Sequence, residues 1–182
     1  QTRHLRHDFR QHLHVISGLT EAGRLDELKS YLSQYESELS DARPTLCVNA
    51  AVDALAGHYD YEARKQGIQI EWKLELPKLL PLPEADLCTI LGNLLENAVE
   101  ACLREKNGKC SIRLRIFRKN KSSLVFLTDN TCSGTVRFDA DGKTPLSSKR
   151  KGVGIGVSSI REIADRYGGD TLFEQKAGMF YA

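Results

Sequence analysis

Asn93 and Asn97 stand four residues apart in the run LGNLLENAVEAC (Leu91–Cys102). In that run Leu91, Leu94, Leu95, Ala98, Val99 and Cys102 recur at helical spacing and define a side to be buried. Asn93, Asn97 and Glu100 then share another side, with Glu96 beside them. Amide oxygens and carboxylates are hard ligands of the kind magnesium takes, and Mg2+ commonly bridges nucleotide phosphates. A solvated polar face accounts for the same pattern when this helix is taken alone. A second run, KGVGIGVSSI (Lys151–Ile160), alternates Gly152, Gly154 and Gly156 just ahead of a helical pattern. Glycine lets backbone N–H groups approach an anion, and a helix N-terminus favours negative charge there. The spacing is not that of a dinucleotide-binding fingerprint, because Val157 and Ser159 stand where its third glycine belongs. Gly142-Lys143-Thr144 is not a P-loop either, since Arg137 occupies the place of that motif's first glycine. Alone, the glycine run reads equally as a flexible turn.

The third candidate is His7 in LRHDFRQHLH (Leu5–His14), followed directly by Asp8. A carboxylate can hold one imidazole N–H and leave the other nitrogen free as a nucleophile. His7 lies two residues from both Leu5 and Phe9, off the apolar stripe, so an exposed histidine is the plain alternative. His4, His7, His12 and His14 do not converge at tetrahedral spacing, which argues against zinc.

These groups need elements to position them. Leu5, Phe9, Leu13 and Ile16 predict a first helix, and Leu25, Leu28, Leu32, Tyr35 and Leu39 predict a second with a heptad seam. Gly18 and Gly23 bracket the expected turn. A narrow seam buries little by itself, so the pair is expected to dimerise into a four-helix bundle. Pro44 closes this unit. A helix is predicted over 49–66 with Asn49 as N-cap and Gly67 at its end, then a strand over 68–76. The long helix follows over 84–105, a turn at Asn107-Gly108, and a hairpin of strands over 112–117 and 124–127. From Asn130 to Lys151 the chain is polar, rich in Gly and Ser and aperiodic, the mark of a functional loop. A helix over 157–167 and strands over 171–175 and from Met179 complete the pattern. Helix and strand runs do not alternate as repeated βαβ units, so the expected class is α+β, with helices layered on one face of a mixed sheet.

Composition narrows the functions. The 182 residues allow one domain plus a helical appendage, 1–43 and 44–182. A net charge of +2 gives no footprint for nucleic acid or an anionic membrane surface. Five cysteines with no CxxC argue for reduced thiols rather than a disulfide framework or a zinc ribbon. No run is long and apolar enough to span a bilayer. The ends read as cut, so the expectation is a fragment, truncated at its C-terminus, whose membrane segment lies upstream.

Taken together and in order, these segments resemble the transmitter region of sensor histidine kinases of the GHKL (Bergerat-fold) ATPase superfamily, in particular the branch with peptide-quorum-sensing kinases of Gram-positive bacteria. RHDFRQHL is similar to the H box, LGNLLENAVEA to the N box, LTDNTCSG to the first G box and SSKRKGVGIGVSSIREIADRYGG to the second. The resemblance spans nearly the whole chain. It implies a dimerisation hairpin followed by a Bergerat-fold α/β sandwich. It implies ATP and Mg2+ as cofactors, His7 as phosphoacceptor and Asp8 as its orienting base. Asn97 would ligate Mg2+, and Asn93 stands where related ATPases carry a catalytic carboxylate. An amide takes no proton, so positioning of metal or phosphate is its implied part. Asp129 or Asn130 would meet the adenine amino group. Gly152, Gly154 and Gly156 would flank the phosphates, and the loop 131–151 would be a lid whose Lys149, Arg150 or Lys151 reaches phosphate oxygens. Gln11 and His12 lie where relatives carry residues that aid dephosphorylation. The implied partners are a second copy of the chain and the receiver domain of a response regulator, with no direct nucleic acid contact. The implied setting is the cytoplasmic part of a membrane-bound receptor. A rival is a phosphotransfer or adaptor protein with a decayed ATP fold; a GHKL enzyme of another kind would not need the His-Asp helix.

Overall fold

The computed structural model describes residues 2–33, 45–77, 80–105, 110–120, 122–140, 142–149 and 152–182, with backbone only for 2–10. The chain divides into two compact units, Gln1–Arg43 and Pro44–Ala182.

In the first unit, α1 (Thr2–Glu21) and α2 (Leu25–Ser33) are joined by a short turn in which Gly23 takes φ 66°. Gly18 lies inside α1, not in the turn, because its carbonyl still accepts the helical hydrogen bond from Ala22 N at 3.1 Å. Tyr31 Oη of α2 lies 2.6 Å from His12 Nδ1 of α1. None of the described side chains of this unit is buried. Tyr35 and Leu39 of the seam lie outside the described residues.

The second unit is a five-stranded sheet with helices on one face. It comprises α3 (Ala50–Lys65), β1 (Gln69–Leu74), α4 (Glu84–Arg104), β2 (Ser111–Arg118), β3 (Leu124–Thr131), α5 (Ile155–Arg166), β4 (Glu174–Lys176) and β5 (Met179–Tyr181). The strand order is β1-β2-β3-β5-β4. Only β1 and β2 run parallel, through the single crossover β1–α4–β2, and the other pairs are antiparallel. That one βαβ unit makes the sheet mixed. Asn49 caps α3 as its spacing predicts, accepting from Val52 N at 3.0 Å.

The pleat sorts β2 cleanly. Ile112, Leu114 and Ile116 are buried under the helices, while Arg113 and Arg115 face the other way. Leu87, Leu91 and Leu95 of α4 pack with Leu114 and Ile116, and Ala98 and Cys102 with Ile112. Each such leucine contributes about 2 kcal/mol by leaving water. Ile90 and Leu94 pack against Ile160 and Ile163, which seats α5 along α4. Val99, expected on the buried side, is half-buried.

Two boundaries differ from the sequence-based expectation. β3 continues to Thr131, so Asn130 and Thr131 belong to a strand rather than to the loop, because β5 pairs with Asp129–Thr131 from about fifty residues onward. α5 starts at Ile155, so Gly156 is helical; Gly154 is its N-cap without a side-chain cap, which removed the usual start signal. The expected turn at Asn107-Gly108 lies outside the described residues.

Candidate nucleotide-binding site

A cavity of about 450 Å³ opens between α4, the inner ends of β3 and β5, the N-terminus of α5 and the loop that follows β3. That volume suits a ligand of drug size. Asn93, Glu96, Asn97 and Glu100 line it from α4. Their grouping follows from the helical period alone. The apolar side of α4 is held by the sheet and α5, which leaves the polar side to face this open cavity.

The two asparagines differ. Asn97 is exposed in the cavity and its amide has no hydrogen-bond partner among the described residues. Asn93 is committed: its Nδ2 donates to Thr89 O at 2.7 Å. A Cβ placed on Gly156 would stand 2.6 Å from Asn93 Oδ1. Gly156 is therefore the point where α5 can approach α4. The three glycines of the run have separate reasons. Gly156 is steric, Gly152 takes φ 86°, and Gly154 has room for a side chain. Gly154 and Gly156 line the cavity; Gly152 is not among its lining residues.

β3 separates Asp129 from Asn130. Thr128 and Asn130, both 2% exposed, line the cavity. Asp129 points to the opposite face of the sheet, where Arg113 Nη1 lies at 3.4 Å and Arg115 Nη2 at 3.6 Å. Thr128 Oγ1 is buried with no hydrogen-bond partner. A buried hydroxyl left unpaired is costly unless a ligand or water satisfies it. At the other end of the cavity, Gly154, Ile155, Gly156 and Val157 present the first turn of α5, whose N–H groups no side chain caps. Such a turn favours an anion. Phe173 and Phe180 form an apolar wall with ring centroids 6.4 Å apart. An unpaired amide, an orphaned hydroxyl, uncapped N–H groups and an aromatic wall thus face one cavity, a combination that suits a polar, anionic ligand with a flat ring.

Specific contacts hold the described residues of the loop after β3. Asp139 Oδ1 accepts from Lys143 N at 2.9 Å and Thr144 N at 3.1 Å, and Thr144 is buried beneath Arg161 of α5. These N–H groups hold the Asp139 carboxyl below its ordinary range. Gln175 ties the loop's start, accepting from Val136 N at 2.9 Å and donating to Cys132 O at 3.1 Å. The C-terminal end of α4 and its C-cap residue Glu105 hold Ser133 and Ser148 of this loop. Glu105 accepts from Ser133 N at 2.6 Å and from its hydroxyl, which lowers the Glu105 pKa, and Arg104 Nη1 donates to Ser148 Oγ at 2.6 Å. Lys149 Nζ pairs with Glu100 Oε1 at the cavity. Arg150 and Lys151 lie outside the described residues.

Thr128, Phe173, Phe180, Arg104 and Ser148 were missed from sequence. Only Thr128 had a signal, its place two residues before Asn130 in one strand. His7 and Asp8 lie on α1, and their side chains are outside the described residues. Gln11 is exposed, and His12 is engaged by Tyr31. All five cysteines are free, and no group of metal-ligating side chains forms among the described residues. No described helix is long and apolar enough to cross a membrane.

The GHKL domain family matches residues 82–182, and the alpha-helical domain of SpoOB-type sensor kinases matches residues 2–43. The chain belongs to the GHKL domain family, and its two domains stand in the order of a sensor-histidine-kinase transmitter region. Sensor histidine kinase DcuS of Escherichia coli (strain K12) is 25% identical over 181 residues, covering 96% of this chain and 33% of that protein. Sensor histidine kinase CitA of Klebsiella pneumoniae is 25% identical over 183 residues, covering 94% and 33%. The chain thus spans about a third of the length of the curated relatives it matches. Among solved structures, the nucleotide-free catalytic domain of histidine kinase ThkA superposes with a TM-score of 0.55 at 18% identity, over 74% of this chain and 87% of that one. Full-length ShkA in complex with AMPPNP gives 0.54 at 20% identity, over 91% and 37%. These likenesses establish the fold.

Proposed function

We propose that this chain is the ATP-dependent kinase part of a two-component system, binding Mg-ATP and phosphorylating its own His7. The observation that carries the reading is the convergence on one cavity of the free Asn97 amide, the unpartnered Thr128 hydroxyl, Asn130 and the uncapped turn of α5. Bound ATP would supply the phosphoryl group, and Mg2+ would neutralise charge as it moves. Asn97 holds the metal. Asn130 and Thr128 receive the adenine, Asn130 through its amide oxygen. Asp129 is engaged with Arg113 and Arg115 and keeps the sheet's outer face. Asn93 positions the N-terminus of α5 through Gly156, and Gly154 and Gly156 offer backbone N–H groups to phosphate. Lys149, with Lys151 and Arg150, serves the phosphates from the lid, and Gly152 gives the lid its hinge conformation.

On α1, Asp8 holds one N–H of the His7 imidazole and the other nitrogen takes the γ-phosphoryl group. Its onward transfer to an aspartate of a response regulator belongs to the same reading. So does a dimer through α1 and α2, supported by the half-exposed Leu13, Val15 and Leu25 of a unit with no buried side chain among those described. Gln11 acts in dephosphorylation of the regulator, and His12, tied to Tyr31, orients that surface. The whole protein is proposed to be a membrane-bound receptor with this part in the cytoplasm.

Incubation with γ-labelled ATP tests the reading. Acid-labile, base-stable label is expected on the chain and is lost in His7→Gln. Label that persists in that variant refutes the His7 assignment. Absence of nucleotide binding at millimolar Mg2+ favours the rival of a decayed ATP fold.

A further inference from the structure

Among the charged groups lining the cavity, Lys149 and Glu100 neutralise each other where a triphosphate would attract the first and repel the second. Glu100 lies one turn beyond Asn97 on the cavity side of α4, and Lys149 from the end of the lid pairs with it. The surroundings are mixed in sign, for Arg104 also lines the cavity with its Nη1 committed to Ser148 Oγ at 2.6 Å. Glu96 lines the same wall, and burial together with Glu96 and Glu100 pushes the Tyr59 phenol pKa up. The lysine is placed to change partner without leaving. Its neighbour Ser148 is anchored by Arg104, and its own N–H donates to Ser147 Oγ at 3.1 Å. The lysine side chain is 66% exposed, so the pair is screened and opens easily. The Glu100 side chain is 29% exposed and stays where it is.

We propose that Glu100 makes this cavity select metal-loaded over metal-free nucleotide. This rests on the nucleotide-binding reading above. Without nucleotide, Lys149 neutralises Glu100. When a triphosphate draws Lys149 away, Glu100 faces the phosphates as a bare like charge unless another cation replaces the lysine. A divalent ion held at Asn97, one turn away, is that replacement. Metal-free nucleotide must either forgo Lys149 or leave Glu100 unpaired, and both weaken it. The ion pair thus stands in for the metal until the metal arrives with its nucleotide.

The test is equilibrium binding of trinitrophenyl-ATP, followed by fluorescence, to the 182-residue chain at millimolar Mg2+ and in excess EDTA. Wild type, Glu100→Gln and Glu100→Ala are compared. Wild type is expected to lose on the order of thirtyfold or more in affinity on metal removal, and both variants to shrink that ratio about tenfold, chiefly by binding more tightly in EDTA. A ratio unchanged in both variants, or a wild-type ratio near one, overturns the role of Glu100. Absence of binding by wild type in both conditions overturns the nucleotide site itself.

Discussion

Replacing Gly156 by alanine drives a methyl group into the amide of Asn93. An ideal Cβ at that position stands 2.6 Å from Asn93 Oδ1 and 3.3 Å from Asn93 Cγ, distances that require one partner to move. The amide is not free to swing, because its Nδ2 donates to Thr89 O at 2.7 Å. Overpacking of this kind costs about 1–3 kcal/mol, and the better helix propensity of alanine returns up to about 1, leaving Gly156→Ala destabilised by roughly 1–2 kcal/mol. Trp72 is the chain's single tryptophan, half-buried against Asp60 through a 2.9 Å hydrogen bond, so its fluorescence follows unfolding of this domain in urea. The decisive comparison is the same substitution in an Asn93→Ala background. There Oδ1 and Cγ are gone, and the remaining contact, Asn93 Cβ at 3.5 Å, is ordinary van der Waals distance. Gly156→Ala is then expected to be neutral or stabilising by up to about 1 kcal/mol, so the effect vanishes or changes sign between backgrounds. Equal destabilisation in both backgrounds refutes the steric account of this glycine.

Asn130→Ala is expected to weaken nucleotide binding at least tenfold, on the order of one lost buried hydrogen bond, while Asp129→Asn leaves binding within about twofold and lowers stability by roughly 1 kcal/mol. Titration calorimetry and urea melts separate the two; the reverse pattern would assign adenine to Asp129. Ala177 takes φ 51° ahead of Gly178 at 75° in the β4–β5 turn, so Ala177→Asn should raise stability by about 0.5–1 kcal/mol, and a loss in the urea melt would contradict that turn geometry. Glu105 and Asp139 both have folded pKa values lowered by hydrogen bonds from the lid. Their contacts are complete above the unfolded carboxylate pKa of about 4 and are lost as pH falls through the lower folded values. The amide resonances of Ser133 and Thr144 should therefore titrate with midpoints below the ordinary Glu and Asp values. Midpoints at or above those values would show that the carboxylates are not so engaged.

Much of the site was legible because its logic is local. The apolar repeat from Leu91 to Cys102 defines the buried side of α4 within a few turns, and the same period obliges Asn93, Asn97 and Glu100 to share a face. Asn49 announces α3 by the chemistry of its own cap. The order of these segments along the chain pointed to the family without any knowledge of contacts. What the sequence could not decide was which neighbour of a pair faces which way. Leu124, Val125, Phe126 and Leu127 are apolar on both faces of β3, so no alternation told Asp129 from Asn130. The choice was made by β5, which extends the strand to Thr131, and by Arg113 and Arg115, which claim Asp129 on the outer face. Likewise Gly156 owes its identity to Asn93, and Lys149 its partner to Glu100, across gaps of sixty-three and forty-nine residues. Periodicity and capping are properties of a few consecutive residues and survive in the sequence. Register, facing and ion-pair partners exist only once distant segments are packed, and in this chain they set the chemistry of the cavity.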